Sequence, residues 1–485
     1  MGLLGIFVAL AALMWLAYRG WSVLLLAPAA AMIAAAFAGE PLLAHWTQTF
    51  MASAAQFLAQ FFPLFLLGAL FGKLMEDSGS VSAIAAFMTE RLGTRRAILA
   101  VVLAGAVVTY GGVSLFVAFF VLAPMAQALF QAAAVPCRLM PATIALGTST
   151  FTMSALPGTP ALQNAIPMPF FGTTPFAAPG LGVIAAAIMF ASGLWWLHRT
   201  AARALQAGEG YGPGSPPVAP LAAAEDPHLR ERATVAHEFD PAELGHGRET
   251  SSPPPVAFAL LPLAVVIVVN FIMAIVVLPS IDTSFLAEER WGGVSLSEVS
   301  GVWGVVVALA SAILTLVVIN YWRLPALRES MDAGANASVL PALSVASLAG
   351  FGAVVAAMPA FADVREWVLT IGGGPLVSLA VAVNVLAALT GSASGGLTIA
   401  LDALGATYMG LAAQAGIDPA LLHRVAVISA GTLDSLPHNG AVVTLLAVCG
   451  SNHRDSYFDL AMACIVSALL ALVVVIALGS LFGTF

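Results

Sequence analysis

The amino-acid sequence predicts an all-α polytopic membrane protein built from two inverted-topology repeats. Three observations predict this fold: the composition is too apolar for water, long apolar segments recur along the chain, and polar residues repeat at a fixed offset. Of the 485 residues, 60% are hydrophobic and 9% are charged, and the mean hydropathy is +0.97. A soluble protein carries about 25% charged residues, so the solvent of this chain must be lipid.

Apolar segments follow one another from the first residues to the last. A span needs about 20 apolar residues to cross a hydrocarbon core of roughly 30 Å. Segments near or above that length lie at 2–18, 21–38, 55–75, 97–134, 141–170, 174–197, 256–278, 301–319, 337–358, 375–415, 421–449 and 458–482. The first lacks the basic start and small-residue cleavage site of a signal peptide, so it is predicted to be a retained span.

One long polar interruption, 198–255, divides the chain. It contains GYGPGSPPVAP, EDPHLRER and SSPPP, and Pro, Gly and charge at that density cannot bury enough apolar surface to order. We therefore expect a flexible cytoplasmic linker. Eight acidic residues from Glu209 to Glu249 account for much of the net charge of −8. The charge thus belongs to this segment and does not indicate a nucleic-acid partner.

The residue types that bind metals are too scattered to predict a metal site. The linker histidines lie nine residues apart in an acidic tract; they are His228, His237 and His246. The cysteines are isolated in or beside apolar segments, where small buried hydrophobes are expected rather than a disulfide; they are Cys137, Cys449 and Cys464. No metal and no cofactor is predicted.

The two halves of the chain match without gaps at an offset of 280 residues. Matches of Gly, Ser, Thr and Pro carry the inference, because Ala, Val and Leu matches mean little in this composition. These matches include Gly111 with Gly391, Ser114 with Ser394, Thr152 with Thr432 and Pro157 with Pro437. The chain is therefore predicted to contain a first repeat, 1–197, and a second repeat, 256–485.

Two apolar segments are long enough for a pair of helices each. The segments 97–134 and 375–415 carry the Gly-rich tips TYGGVS (109–114) and TGSASGG (390–396). They are predicted to be re-entrant hairpins, which enter and leave the membrane on one side. Two ordinary spans joined by a tight turn also fit, but they leave the side of Arg138 unexplained.

Arginine positions indicate that the repeats are inverted, since short cytoplasmic loops accumulate Lys and Arg. Suppose that each hairpin returns to its own side and that each interrupted segment crosses once. All of the arginines except Arg290, Arg365 and Arg424 then fall on one side of the membrane. On this reading that side is the cytoplasm, and both termini lie outside, in the periplasm.

Two further segments are interrupted within the apolar run. The segments 141–170 and 421–449 contain SALPGTPAL and DSLPHNGAV, which place Pro157 and Pro437 inside predicted helices. A broken helix at membrane depth leaves backbone groups without partners, which is tolerated only where the break is buried in protein or lines a watery cavity. Discontinuous helices at matching positions of two inverted halves are typical of a transporter's midplane binding site.

The two tips and two interruptions are expected to form a site for a small organic anion. The positive ends of half-helices favour an anion, and hydroxyl and amide groups can donate to a carboxylate and accept from substrate hydroxyls. No Lys or Arg lies in these four breaks, so a carboxylate would rely on backbone amides. The predicted binding residues are Gly111, Gly112, Ser114, Ser154, Gly158, Thr159, Gln163 and Asn164 in the first repeat, and Ser392, Ser394, Ser435, His438 and Asn439 in the second.

Ionisable residues inside spans are functional candidates because placing them there is expensive. Asp434 and His438 flank the second interruption and, with Asp402, are the candidates for proton coupling. Structural roles also fit: Asp434 as a helix cap, His438 as the partner of a freed carbonyl, and Asp402 as a packed, hydrogen-bonded carboxyl. His423 and Arg424 open a span and are expected to anchor at the membrane interface.

Several motifs resemble one known family. The run GKLMEDSGSVSAIAAFM (72–88) is similar to the G-K-x-x-E-x-S-G-G signature of the gluconate permease family, in the wider ion transporter superfamily. The tip TGSAS and the break SLPHN also fall where that family has TGSA and its second broken helix. Gluconate carriers have an aspartate in a stretch like F-F-D-V-G-F, where this chain has YGGVSLF (110–116). In this respect the chain resembles the branch associated with 3-hydroxybutyrate-type acids.

The resemblance implies proton-coupled symport of a small organic (hydroxy)carboxylate, such as 3-hydroxybutyrate, across a bacterial inner membrane. Gluconate or another sugar acid remains an alternative substrate, and Na⁺ an alternative coupling ion. The wider superfamily often works as homodimers of elevator-type carriers. On that pattern 97–170 and 375–449 would move against 21–75 and 301–358.

Two other function classes fit parts of the pattern. An ion channel also uses Gly-rich broken helices, but usually in a symmetric oligomeric pore rather than in two inverted halves of one chain. A membrane-embedded hydrolase could use Ser154 or Ser435 as nucleophile and His438 as base. No Gly-x-Ser-x-Gly or His-Glu-x-x-His motif occurs, however, and the duplication would be unexplained, so the protein is not expected to be an enzyme.

Overall fold

The computed structural model describes residues 2–19, 21–212 and 239–485, and every regular element in these ranges is a helix. Eight of the described helices are long and apolar enough to cross a membrane, as expected of a polytopic membrane protein. In chain order the helices are α1 (Gly2–Tyr18), α2 (Val23–Ala38), α3 (Leu42–Asp77), α4 (Ser80–Leu92), α5 (Ala97–Tyr110), α6 (Leu115–Ala132), α7 (Met140–Thr148), α8 (Phe151–Ser154), α9 (Leu162–Ala165), α10 (Pro167–Phe171), α11 (Pro179–Gln206), α12 (Val256–Ser280), α13 (Leu296–Arg323), α14 (Leu327–Ala357), α15 (Phe361–Leu369), α16 (Gly374–Thr390), α17 (Ala393–Ala415), α18 (Pro419–Thr432), α19 (Gly440–Val448) and α20 (His453–Phe482).

The two predicted hairpins each consist of two helices joined by a short tip. The first hairpin is α5 and α6 and the second is α16 and α17. Gly112 and Gly391 adopt positive φ angles of 97° and 63° at the tips, which a residue without a Cβ tolerates. Ser114 and Ser392 cap the returning helices by accepting a backbone N–H. Helix α5 has 14 residues, about 21 Å, which is too short to cross the hydrocarbon core alone.

Close contact between the arms of the second hairpin depends on one glycine. A Cβ added at Gly396 would lie 2.3 Å from both the N and Cα atoms of Ala387. Backbone atoms cannot move aside as a side-chain tip can, so we expect Gly396→Ala to destabilise the protein by about 1–3 kcal/mol. Gly410 on the same helix has no atom within 4 Å of an added Cβ. Gly410→Ala should be neutral or stabilising by up to about 1 kcal/mol. Thermal unfolding of the purified variants checks this pair, and equal midpoints would contradict it.

Helix ends repeat at the same offset as the polar residues. Helix α3 ends at Asp77 and α14 at Ala357, while α5 ends at Tyr110 and α16 at Thr390. Both pairs are 280 residues apart, and α3 and α14 pack extensively against each other. The helix ends therefore support a duplicated unit, whereas the opposite orientation of the two units remains a prediction from the arginine pattern.

Both predicted interruptions are present as irregular backbone between short helices. The first broken helix comprises α7 to α10, with residues 155–161 outside helical structure. The second comprises α18 and α19, separated by residues 433–439. Gly158 has a φ of 81° inside the first interruption, so a side chain there would be strained.

The described ends of the predicted linker are ordered, which corrects the expectation of a wholly flexible segment. Helix α11 continues to Gln206, because HRTAARALQ contains mostly good helix formers. On the far side, the backbone N–H of Asp240 donates to the Ala337 carbonyl at 2.8 Å. The buried Lys73 ammonium donates to the Leu244 carbonyl at 3.0 Å. These contacts tie the start of the second repeat to α3 and α14.

The described residues contain no cluster of metal-binding side chains. No group of three or more His, Cys, Asp or Glu residues could hold an ion in the described ranges. His246 is exposed and its Nδ1 lies 2.9 Å from the Glu243 carboxylate, while His228 and His237 lie outside the described residues. The cysteines are free, two of them buried and one half-buried; in that order they are Cys449, Cys464 and Cys137.

Candidate functional site

A small cavity lies where the tip of the first hairpin meets the first broken helix. It encloses about 30 Å³, which is room for water but not for a carboxylic acid. Three predicted binding residues line it: Gly112, Ser114 and Gln163. Its other walls come from the same hairpin and break and from helices α3 and α13; they include Thr109, Met153, Pro160, Leu64, Phe65 and Leu309. Substrate entry therefore requires the tip or the neighbouring helices to move.

Polar groups suited to a hydroxy acid face this cavity. The Gln163 side chain is 5% exposed, and its Oε1 atom has no hydrogen-bond partner in the described structure. A buried amide oxygen without a partner is destabilising until a donor reaches it. Ser114 lines the cavity at the first turn of α6, whose N-terminal end carries a partial positive charge. The cavity thus offers an acceptor for a hydroxyl and a favourable end for a carboxylate.

Asn164 holds the first interruption together and has little capacity left for a ligand. Its Nδ2 donates to the carbonyls of Thr159 at 3.0 Å and Pro175 at 3.1 Å, and its Oδ1 lies 3.1 Å from His423 Nε2. His423 Nδ1 contacts the Thr173 hydroxyl at 2.6 Å. His423 is fully buried, so its predicted place at the membrane interface is wrong. Its ring instead spans two polar groups of the first repeat.

Helix α12 contacts both the first tip and the first interruption. Asn270 Nδ2 donates to the Gly158 carbonyl at 3.1 Å. A Cβ added at Gly111 would meet the Leu263 side chain at 2.2 Å, so this predicted binding residue faces α12 and not the cavity. Asn270 carries no sequence motif, and only its position as a polar residue in an apolar span could have indicated a role.

Arg424 reaches the first interruption from the second repeat. Its guanidinium donates to the Ala155 carbonyl at 3.1 Å and twice to the Ala177 carbonyl, at 3.1 and 2.7 Å. The Tyr110 hydroxyl donates to the neighbouring Pro157 carbonyl at 2.7 Å. Arg424 is fully buried, which corrects its predicted role as an interface anchor. It also shows that a basic group serves a break whose own sequence has none, because a broken helix leaves carbonyls that need donors.

The two broken helices touch beside their interruptions. A Cβ added at Gly431 would lie 2.9 Å from Ser154 Cβ and 3.1 Å from its Oγ. The Ser154 hydroxyl donates to the Thr150 carbonyl at 2.9 Å. The proline-bearing stretches are therefore neighbours, as expected. The cavity itself is lined by the first tip and first interruption with α3 and α13, and not by all four breaks.

The second tip and the second interruption are joined by a hydrogen-bond network. Asn439 Nδ2 lies 2.6 Å from Asp434 Oδ1 and 2.8 Å from the Gly391 carbonyl. His438 Nε2 contacts the Ala388 carbonyl at 2.8 Å. Each hairpin tip thus closes on the broken helix of its own repeat.

The remaining predicted residues lie around this second network or away from it. Ser392 and Ser394 are buried, with their hydroxyls 3.3 Å apart, and Ser435 is buried beside the break. Pro437 is exposed at the turn. Asp402 lies on the exposed side of α17, two turns from the tip, rather than being a packed and hydrogen-bonded carboxyl.

Comparison with known proteins decides the family. The model of the GntP family permeases matches residues 1–169. The chain is also 40% identical to the uncharacterized transporter YxjC of Bacillus subtilis (strain 168), with the alignment covering all of both proteins. The chain belongs to the GntP permease family. It is therefore a multi-pass membrane transporter, and the family predicted from the motifs is confirmed.

A solved structure extends the likeness of this GntP permease to its fold. The structure of Neisseria gonorrhoeae MtrF, described as illuminating a class of antimetabolite efflux pumps, has a TM-score of 0.55 to this chain. The two are 15% identical, and the match covers 91% of this chain and 85% of MtrF. At that identity the likeness concerns the fold alone.

Proposed function

We propose that this GntP permease is a secondary active transporter that imports a small hydroxycarboxylate, such as 3-hydroxybutyrate, together with protons. The observation that carries the proposal is the contact of the two broken helices at Ser154 and Gly431, each with a hairpin tip closed on its interruption. Broken helices paired in this way form the binding sites of secondary transporters.

The chemistry of the cavity supports a substrate with one carboxylate and few hydroxyls. The unpartnered Gln163 oxygen can accept a substrate hydroxyl, and the start of α6 favours a carboxylate. Gluconate carries many hydroxyls, and the described cavity walls are otherwise mostly apolar. The smaller acid therefore fits this cavity better.

Coupling and movement follow from the same arrangement. Asp434 is the proposed proton carrier because it lies in the network that joins the second tip to the second break. Residues 97–170 and 375–449 would form the moving part of an elevator-type carrier, and 21–75 and 301–358 the scaffold of a homodimer in the inner membrane. The Asn270–Gly158 hydrogen bond crosses from the first break to α12, so it would break during such a movement.

A hydrolase is disfavoured by the contacts of its candidate base. His438 Nε2 bonds the Ala388 carbonyl, and the Ser154 hydroxyl bonds Thr150. Neither serine is within printed hydrogen-bond reach of His438 among the described contacts, so the nucleophile–base pair that such an enzyme requires is not formed.

The test is uptake into proteoliposomes that contain the purified protein. We expect 3-hydroxybutyrate to accumulate under an inside-alkaline pH gradient, ahead of lactate, gluconate and citrate, and a protonophore to abolish the accumulation. Equilibration without accumulation would indicate a channel or uniporter instead. Preferred uptake of gluconate would overturn the proposed substrate but leave the carrier.

Hydroxyl recognition by Gln163 can be tested in the same vesicles. Gln163→Leu should reduce the preference for 3-hydroxybutyrate over butyrate by about tenfold, since the hydroxyl loses its acceptor. Gln56→Leu is the matched control, because Gln56 is exposed on α3. An unchanged preference in Gln163→Leu would remove Gln163 from substrate recognition.

A further inference from the structure

Four oxygen atoms converge where the first hairpin meets the first broken helix. The Thr109 hydroxyl oxygen lies 3.2 Å from that of Thr152 and 3.5 Å from the Gly147 carbonyl oxygen. The Thr152 hydroxyl oxygen lies 3.2 Å from the Gly147 carbonyl and 3.0 Å from the Thr148 carbonyl. All four residues are in elements that end at this point, α5 and α7 among them.

The two carbonyls are available because the helix stops there. Helix α7 ends at Thr148, and Thr150 has a φ of −116° and a ψ of −107°. No backbone N–H donates to the Gly147 or Thr148 carbonyl in the described structure. The backbone hydrogen bonds resume with Ser154, whose N–H donates to Thr150. Carbonyls freed in this way are the groups that coordinate cations in transporters.

The protons at this point are too few for the oxygens. The two hydroxyls supply one proton each, but they face the carbonyls of Gly105, Gly147 and Thr148 and also each other. At least one carbonyl therefore lacks a donor in any arrangement. A cation would satisfy all of the oxygens at once, and the C-terminal ends of α5 and α7 add partial negative charge.

We infer that this cluster is a sodium site, which we call the threonine site: Thr109 Oγ1, Thr152 Oγ1 and the carbonyl oxygens of Gly147 and Thr148. Separations of 3.0–3.5 Å are octahedral edges for a cation–oxygen distance of about 2.1–2.5 Å, between those of Mg²⁺ and Ca²⁺. All of the ligands are neutral, which suits a single positive charge. K⁺ is too large for this spacing.

The threonine site adjoins the cavity, because Thr109 also lines it beside Ser114 and Gln163. A bound Na⁺ would place a positive charge next to a substrate carboxylate. This second consequence rests on the proposed function, and it would explain how an anion binds where the breaks carry no Lys or Arg.

The second repeat does not reproduce the site. Leu389 stands where the offset places the counterpart of Thr109. Thr432 corresponds to Thr152, and its hydroxyl donates to the Ile428 carbonyl at 2.8 Å within the unbroken α18. The counterpart therefore has neither the second hydroxyl nor the freed carbonyls.

Direct binding of ²²Na⁺ to the purified full-length protein, without any organic substrate, tests the inference. We expect saturable binding that unlabelled Na⁺ displaces and K⁺ does not. Thr109→Val and Thr152→Val should each weaken it on the order of tenfold or more. Thr143→Val is the control, because its buried hydroxyl donates to the Leu139 carbonyl on the same helix, outside the cluster.

Wild-type protein alone can overturn the inference, whatever the variants do. Absence of saturable ²²Na⁺ binding, or equal displacement by K⁺, would exclude the site, as would full binding by the folded Thr109→Val/Thr152→Val double variant. Thermal stabilisation of the wild type by NaCl over choline chloride at equal ionic strength would support it. Sodium binding without carboxylate uptake would refute the proposed function and leave the site, and sodium-independent uptake without binding would do the reverse.

Discussion

Asp434→Asn is expected to abolish accumulation of substrate driven by a pH gradient while leaving substrate exchange intact. The Asp434 carboxylate accepts from Asn439 Nδ2 at 2.6 Å and from the Ala393 backbone N–H. Asparagine has the same shape and keeps an acceptor oxygen for these donors. It cannot carry a proton, so the hairpin should still close but the proton gradient should no longer be used.

Exchange and net accumulation are measured in the same proteoliposomes, with and without an inside-alkaline gradient. Asp402→Asn is the comparison, because Asp402 also lies within a span but on the exposed side of α17. It should accumulate substrate as the wild type does. If Asp434→Asn accumulates normally and Asp402→Asn does not, proton coupling belongs to Asp402.

Arg424→Leu is expected to produce the largest loss of stability in the protein. The change removes three hydrogen bonds and leaves the carbonyls of Ala155 and Ala177 buried without these donors. Each unsatisfied carbonyl costs about 1–3 kcal/mol. Relief of the desolvation of the guanidinium offsets part of this penalty, so we expect a net loss of about 2 kcal/mol or more.

The unfolding midpoint of detergent-solubilised protein, followed by size-exclusion chromatography after heating, measures this loss. Arg424→Lys should fall between Leu and the wild type, because one ammonium cannot reproduce the fork of the guanidinium. Arg328→Leu should leave the midpoint unchanged, since the Arg328 side chain is 95% exposed. A midpoint for Arg424→Leu equal to that of the wild type would show that the break does not depend on this side chain.

The breaks in the helices could be located from the sequence because their causes are local. Pro157 and Pro437 remove a donor and Gly112, Gly158 and Gly391 allow positive φ angles. These effects act within a few residues. The same local reasoning failed for the ends of the linker, where ordering comes from contacts such as that between Asp240 and Ala337, almost one hundred residues apart.

The partners of the site residues could not be predicted in the same way. Asn164 was expected to bind substrate, but its amide joins Thr159, Pro175 and His423. His423 and Arg424 were expected at the interface because a span begins there, and both are buried. Nothing in the sequence brings these residues to a break more than 240 residues away.

By itself, the sequence determined that this chain lives in lipid, that it is duplicated, and where its helices are interrupted. These properties follow from composition and from the local chemistry of Pro and Gly. Only the tertiary structure decided which group satisfies each freed carbonyl: Arg424 at Ala155 and the hydroxyls of Thr109 and Thr152 at Gly147 and Thr148. The reason is physical, because a broken helix fixes that a carbonyl needs a partner, whereas packing alone decides which distant side chain supplies it.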